Sequence, residues 1–225
     1  MPILHDRARA AAMRLLLSVA LLFVAASAFE TGGIVPAALA ADRNDHLSER
    51  DLTDLDRVSK YLNGIKTMQG RFFQVSDQGL GGGQFWMRKP GRLRFVYDPP
   101  ATIELVADGT VVAVIDKQLE TVNTYPLSAT PLKVILARKI DLADDVDIIS
   151  VERRDDRLFI TAREDEGVAA GQITLIHEEP TLALRQWVII DAQGVETTIT
   201  LKDVKEGMKL PRSLFRFEQP DGWDE

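Results

Sequence analysis

The chain of 225 residues contains no cysteine. No disulfide framework can support its fold, and no lipid can be attached through an N-terminal cysteine. Histidine is nearly as scarce: after residue 40 only His46 and His177 remain. Without thiolates and with two distant imidazoles, a zinc site is disfavoured, and neither metal nor cofactor is expected. A Ser–His–Asp triad would have to use one of those two. His46 sits in a polar stretch, and His177 precedes Glu178-Glu179-Pro180, which reads as a turn, so both are read as structural. Basic runs are also missing, and a net charge of −7 argues against nucleic acid. No glycine-rich phosphate motif occurs, because Gly79 and Gly81-Gly82-Gly83 lead into a strand rather than a helix.

Long apolar runs are limited to one. Arg7, Arg9 and Arg14 give a basic start to the apolar run Leu15 to Val24, which is short for a membrane span. Two small-residue cleavage sites follow, Ala26-Ser27-Ala28 and Ala38-Leu39-Ala40, and the second is preferred; Met13 is an alternative start. Residues 1–40 are therefore expected to be a signal peptide, and the mature protein to be exported and soluble. A membrane anchor is the competing reading, weakened by Glu30, Gly32 and Gly33. Removing that segment takes away three arginines and two acids, so the charge moves from −7 to −8. Residues 41–50 are expected to be a flexible polar leader, 51–220 one domain with a substantial core, and 221–225 a polar tail.

What is present is a repeated two-residue period. In Gln84 to Arg88, Phe85 and Met87 share one face; in the next strand Leu93, Phe95 and Tyr97 share one face, with Arg92, Arg94 and Val96 opposite. Pro90-Gly91 punctuates the pair, and Asp98-Pro99-Pro100 stops it. One face thus collects aromatics and the other carries cations.

Ahead of this pair, Leu52, Leu55, Val58, Tyr61, Leu62 and Ile65 recur at helical spacing, capped by Thr53 or Asp51. A strand Gln69 to Ser76 follows. After the pair come Thr102 to Ala107, Val111 to Ile115 and Leu119 to Leu127, the first two joined at Asp108-Gly109. Thr130-Pro131 then offers a cap and first-turn proline to a short helix with the stripe Leu132, Ile135, Leu136 and Ile140. Asp141 to Asp147 reads as an acidic loop. Five further strands are read over 147–153, 157–162, 172–177, 184–191 and 196–204. About eleven short strands in regular succession predict one up-and-down antiparallel sheet, which must curl strongly, with the two helices over its concave side. Aromatics on the inner face and helices over the mouth imply an apolar pocket, or simply a filled core.

The ordered set Phe72-Phe73-Gln74, Gly83 to Phe95, Pro99, Asp108-Gly109, the Thr130-Pro131 helix and Phe215-Arg216-Phe217 resembles the outer-membrane lipoprotein carrier (LolA) family across roughly residues 50–220. The resemblance implies an incomplete eleven-stranded β-barrel with a helical lid. It implies a soluble periplasmic carrier, acting as a monomer and not as an enzyme. Such a carrier takes lipoproteins from an inner-membrane ATP-driven release complex to an outer-membrane receptor. It further implies an acyl-chain cavity lined by Phe72, Phe85, Leu93, Phe95, Tyr97, Leu132, Ile135 and Leu136. In this family an arginine before the proline of the strand-turn motif helps hold the lid. Lys89 stands at that position, after Arg88, and these two are the expected latch; a lysine lacks the forked geometry of arginine. Two other readings stay open: a periplasmic sensor or scaffold that uses the fold for protein contacts, and an exported hydrolase built on a carboxylate pair.

Overall fold

The computed structural model describes residues 44, 46–77, 79–164, 171–191 and 193–223. The expected signal peptide lies outside the described residues. Helix α1 spans Glu49–Gly64. It begins earlier than the caps read from the sequence imply, because Ser48 and not Thr53 or Asp51 is the cap. Ser48 Oγ accepts the Asp51 N–H and the Asp51 carboxylate accepts the Ser48 N–H, a reciprocal capping box.

Eleven strands follow: β1 Thr67–Ser76, β2 Gly79–Arg88, β3 Arg92–Tyr97, β4 Ile103–Asp108, β5 Val111–Asp116, β6 Thr121–Pro126, β7 Asp147–Arg154, β8 Arg157–Glu164, β9 Gly171–Glu178, β10 Ala183–Asp191 and β11 Glu196–Glu206. All eleven expected strands are present. They form one antiparallel sheet in the order β6-β5-β4-β3-β2-β1-β11-β10-β9-β8-β7. Strands β6 and β7 are consecutive in sequence yet lie at opposite edges, so hydrogen bonds do not close the sheet. The chain must cross from one edge to the other between residues 127 and 146.

That crossing carries a 3-10 turn, Leu127–Ala129, then α2, Leu132–Leu136, and α3, Leu142–Asp145. Two expectations are corrected here. Thr130 does not cap α2: its hydroxyl donates to Leu127 O at 2.9 Å, and Pro131 occupies the cap position. The acidic stretch 141–147 is not all loop, since Asp141 accepts the Ala143 N–H and starts α3.

The main core lies between the concave face of the sheet and the helices, and includes Leu55, Val58 and Leu62 of α1. A second, smaller cluster of Val106, Ala113, Ile115 and Val122 sits on the convex face. The chain after β11 covers it with Phe217 and Trp223, so Trp223 of the expected polar tail is packed. The outward arginines hold this covering segment: Arg88 Nη1 donates to Leu210 O at 2.6 Å, and Arg94 Nη1 to Leu214 O at 3.0 Å.

Candidate functional site

The period of two in β1 to β3 sends Phe72, Phe85, Phe95 and Tyr97 to the concave side, where they interlock. Phe72 stacks on Phe95 with ring centroids 4.5 Å apart and meets Tyr97 edge-on at 4.9 Å. Phe85 meets Phe95 edge-on at 5.9 Å. Trp187 of β10 lies nearly parallel to Phe95 at 6.3 Å. Strands β3 and β10 are four positions apart in the sheet, which would separate them by about 19 Å if it were flat. The Phe95–Trp187 contact therefore expresses the curl.

Two glycines make room for this packing. A Cβ on Gly83 would lie 2.0 Å from Val96 O and 2.9 Å from a Phe72 ring carbon. Neither contact is possible, so the aromatic face closes over β2 only because β2 presents backbone there. A Cβ on Gly70 would meet Lys202 O at 2.6 Å.

Between the sheet and α2 lies a cavity of about 80 Å³, bounded by Phe95, Tyr97, Val112, Trp187, Ile199 and Leu132, among others. Of the residues expected to line it, Phe95, Tyr97 and Leu132 are on its wall. Phe72, Phe85, Leu93, Ile135 and Leu136 lie in the packed core. Trp187 and Ile199 were missed from the sequence because their strands carry no aromatic run; only sheet order brings them opposite β3. Leu132 is the half-buried residue of its stripe, whereas Ile135 and Leu136 are buried.

The wall is apolar except at a few points. Tyr97 donates its phenolic hydrogen to Gln74 Oε1, and burial pushes the phenol pKa upward. Gln74 Nε2 is buried and has no hydrogen-bond partner among the described residues. Asp191 Oδ1 accepts the Gln193 and Val195 N–H groups, both at 2.9 Å, so this carboxylate organises the turn between β10 and β11.

The turn between β2 and β3 touches the C-terminal ends of two helices. Lys89 Nζ donates to Leu62 O of α1 at 2.8 Å, and the Gly91 N–H donates to Leu136 O of α2 at 2.9 Å. Both acceptors are carbonyls left over where a helix ends. Burial, reinforced by Lys66, pulls the Lys89 amine down to about 8. Arg88, expected beside Lys89 at the latch, points to the other face and holds Leu210 O.

α1 and α3 are clamped together. Asn63 exchanges two bonds with Ile140, Nδ2 to O at 2.8 Å and N to Oδ1 at 2.9 Å, while the Leu142 N–H donates to Ser59 Oγ at 3.0 Å. Arg57 fixes α1 to Glu179 through two bonds, at 3.1 and 3.0 Å. His177 is fully buried beneath this helix, with Nδ1 bonded to Leu182 O at 2.7 Å and its ring meeting Tyr61 edge-on. It is not on the cavity wall.

A family model described as outer membrane lipoprotein carrier protein LolA matches residues 63–218. An outer-membrane lipoprotein carrier protein of Halorhodospira halophila is 28% identical over 181 residues, covering 76% of this chain and 84% of that protein. One from Legionella pneumophila is 26% identical over 181 residues, covering 76% and 89%. Among solved structures, a LolA superfamily protein from Nitrosomonas europaea aligns at a TM-score of 0.43 with 10% identity, over 72% of this chain and 97% of that one.

Proposed function

We propose, from the premise that this chain belongs to the outer-membrane lipoprotein carrier (LolA) family, that its cavity is the closed form of an acyl-chain shelter. The mature protein would carry lipoproteins through the periplasm, from an inner-membrane release complex to an outer-membrane receptor. The observation that carries this reading is the mostly apolar cavity in an unclosed sheet, with the short helix α2 of the edge-to-edge crossing on its wall.

Exposing one ~16-carbon acyl chain to water costs on the order of 13 kcal/mol, at ~0.8 kcal/mol per methylene. A shelter is needed for the journey. The cavity of about 80 Å³ is well below the roughly 300–1,000 Å³ typical of pockets that enclose a ligand. Cargo must therefore displace something, and α2 is the piece to displace. Its five residues are far too few for a stable isolated helix, so it persists only by packing. α1 and α3 are clamped to one another and stay. Closure of the empty state lowers net affinity, because each entry must first break it, and this lets cargo be surrendered without ATP. No catalytic role is assigned to any residue.

The test is to add the purified mature protein to spheroplasts and ask whether it releases a lipidated substrate into a soluble one-to-one complex. Release of the non-lipidated form alone, or none, would sink the carrier reading. Deuterium exchange in residues 130–142 that responds to a protein partner and not to lipid would favour the scaffold reading.

A further inference from the structure

Gln74 is the residue the apolar-shelter reading does not use. It sits on β1 facing the cavity, 1% exposed, and its Nε2 is without a partner. A buried donor left unpaired costs on the order of 1–3 kcal/mol, so its place in a mostly apolar wall asks for a physical reason. Its carbonyl is engaged by Tyr97 from two strands away. That reach exists because the intervening positions on β2, Gly81 opposite Gln74 and Gly83 opposite Tyr97, have no side chains. The pair is thus held as a unit, with the amide N–H groups left over. Turning the amide over does not remove the spare donor. Nε2 would then donate to the phenol oxygen, and the phenol's own hydrogen would be the one unpaired.

We propose that the Gln74–Tyr97 pair is a hydrogen-bonding site for the carbonyl oxygen of the ester or amide linkage that joins an acyl chain to its head group. This rests on the carrier reading and deepens it. An aliphatic chain offers no acceptor, whereas its linkage offers one carbonyl oxygen per chain, the strong acceptor that ester and amide linkages share. A linkage bonded here would set how deep each chain sits and would satisfy Nε2 when cargo is bound. In the empty protein the donor stays unpaired, which raises the free energy of the unloaded state relative to the loaded one.

The experiment compares two probes with the mature protein: a dipalmitoyl-ester lipopeptide and its dialkyl-ether analogue, which keeps the chains and lacks the carbonyls. One neutral hydrogen bond predicts ester preferred over ether by roughly threefold to tenfold. Gln74→Met, close in volume and without the amide, should bring the ester-to-ether affinity ratio to about one, whatever the absolute affinity of either probe; a ratio that stays at the wild-type value would overturn the site. Equal binding of both probes by the wild type would overturn the site and leave the carrier reading standing. Binding of neither probe would overturn both. A second readout does not depend on a variant folding. The ester labelled with ¹³C at the carbonyl should show its infrared stretch at lower wavenumber when bound than in hydrocarbon solvent; an unshifted band would also overturn the proposal.

Discussion

The Tyr97 hydroxyl reaches Gln74 Oε1 across a strand that contributes only glycine between them. The two residues are 23 positions apart in the chain and belong to strands that do not pair. Their contact ties β1 to β3 on the cavity side and depends on the bare backbone of β2 between them.

Gly83→Ala tests that dependence. The added methyl would stand 2.0 Å from the Val96 carbonyl, which is backbone and cannot swing aside. The sheet must open locally at a cost on the order of 3 kcal/mol. Thermal or urea unfolding should show it, and Tyr97 should lose its buried fluorescence environment. A fully stable variant would mean that the glycine is incidental.

Leu132→Ser separates a lid from a wall. As a wall residue alone, Leu132 would add apolar contact to cargo, and its loss would weaken binding. As part of a roof that cargo displaces, its loss weakens the closed state and should strengthen apparent binding of an apolar fluorescent probe by several-fold. We expect tighter binding, together with faster deuterium exchange in residues 130–142 and little change in the strands.

His177 should make the fold sensitive to acid. Burial drops its pKa to about 4 from an ordinary value of 6.5. The unfolded chain therefore takes up a proton between pH 6.5 and 4 that the folded protein refuses, so stability falls as pH falls through this window. The loss is on the order of 3 kcal/mol by pH 4. His177→Phe should flatten that part of the pH profile measured by urea midpoints, even if its midpoint at pH 7 is lower. An unchanged slope would show that other groups carry the acid sensitivity.

Lys89 gives a second window of the same sign, on the alkaline side. Its amine falls to about 8 in the folded protein, against an ordinary 10.5. Between these values the unfolded chain holds the proton and the folded one releases it, so this group's contribution to stability rises with pH from about 8 to 10.5. The Lys89 side-chain resonances should titrate with a midpoint near 8 in the free protein. Bound lipid that displaces α2 from the β2–β3 turn, breaking the Gly91 N–H bond to Leu136 O, should raise the midpoint, because the amine regains water on that side. A midpoint near 10.5 in the free protein would mean that the bond to Leu62 O is not maintained.

The sequence by itself determined the strands and their faces. A side-chain period of two is local geometry, and turn residues such as Asp108-Gly109 act within a few positions, so all eleven strands could be read one at a time. The aromatic inner face of β2 and β3 was legible for the same reason. Helix ends were read less well: Ser48 reaches its partner three residues on, but several polar residues nearby compete for that role in the pattern. Only the tertiary structure decided the site. Which strand faces β3 across the cavity depends on strand order and on the degree of curl, so Trp187 and Ile199 were invisible as lining. Whether an inward aromatic bounds a void or fills the core depends on how far the roof stands off, which separates Phe95 and Tyr97 from Phe72 and Phe85. The directions of Lys89 and Arg88 depend on where helix ends and the C-terminal segment come to rest, and those contacts lie 27 and 122 positions away along the chain. Local periodicity carries no information over such separations; packing does.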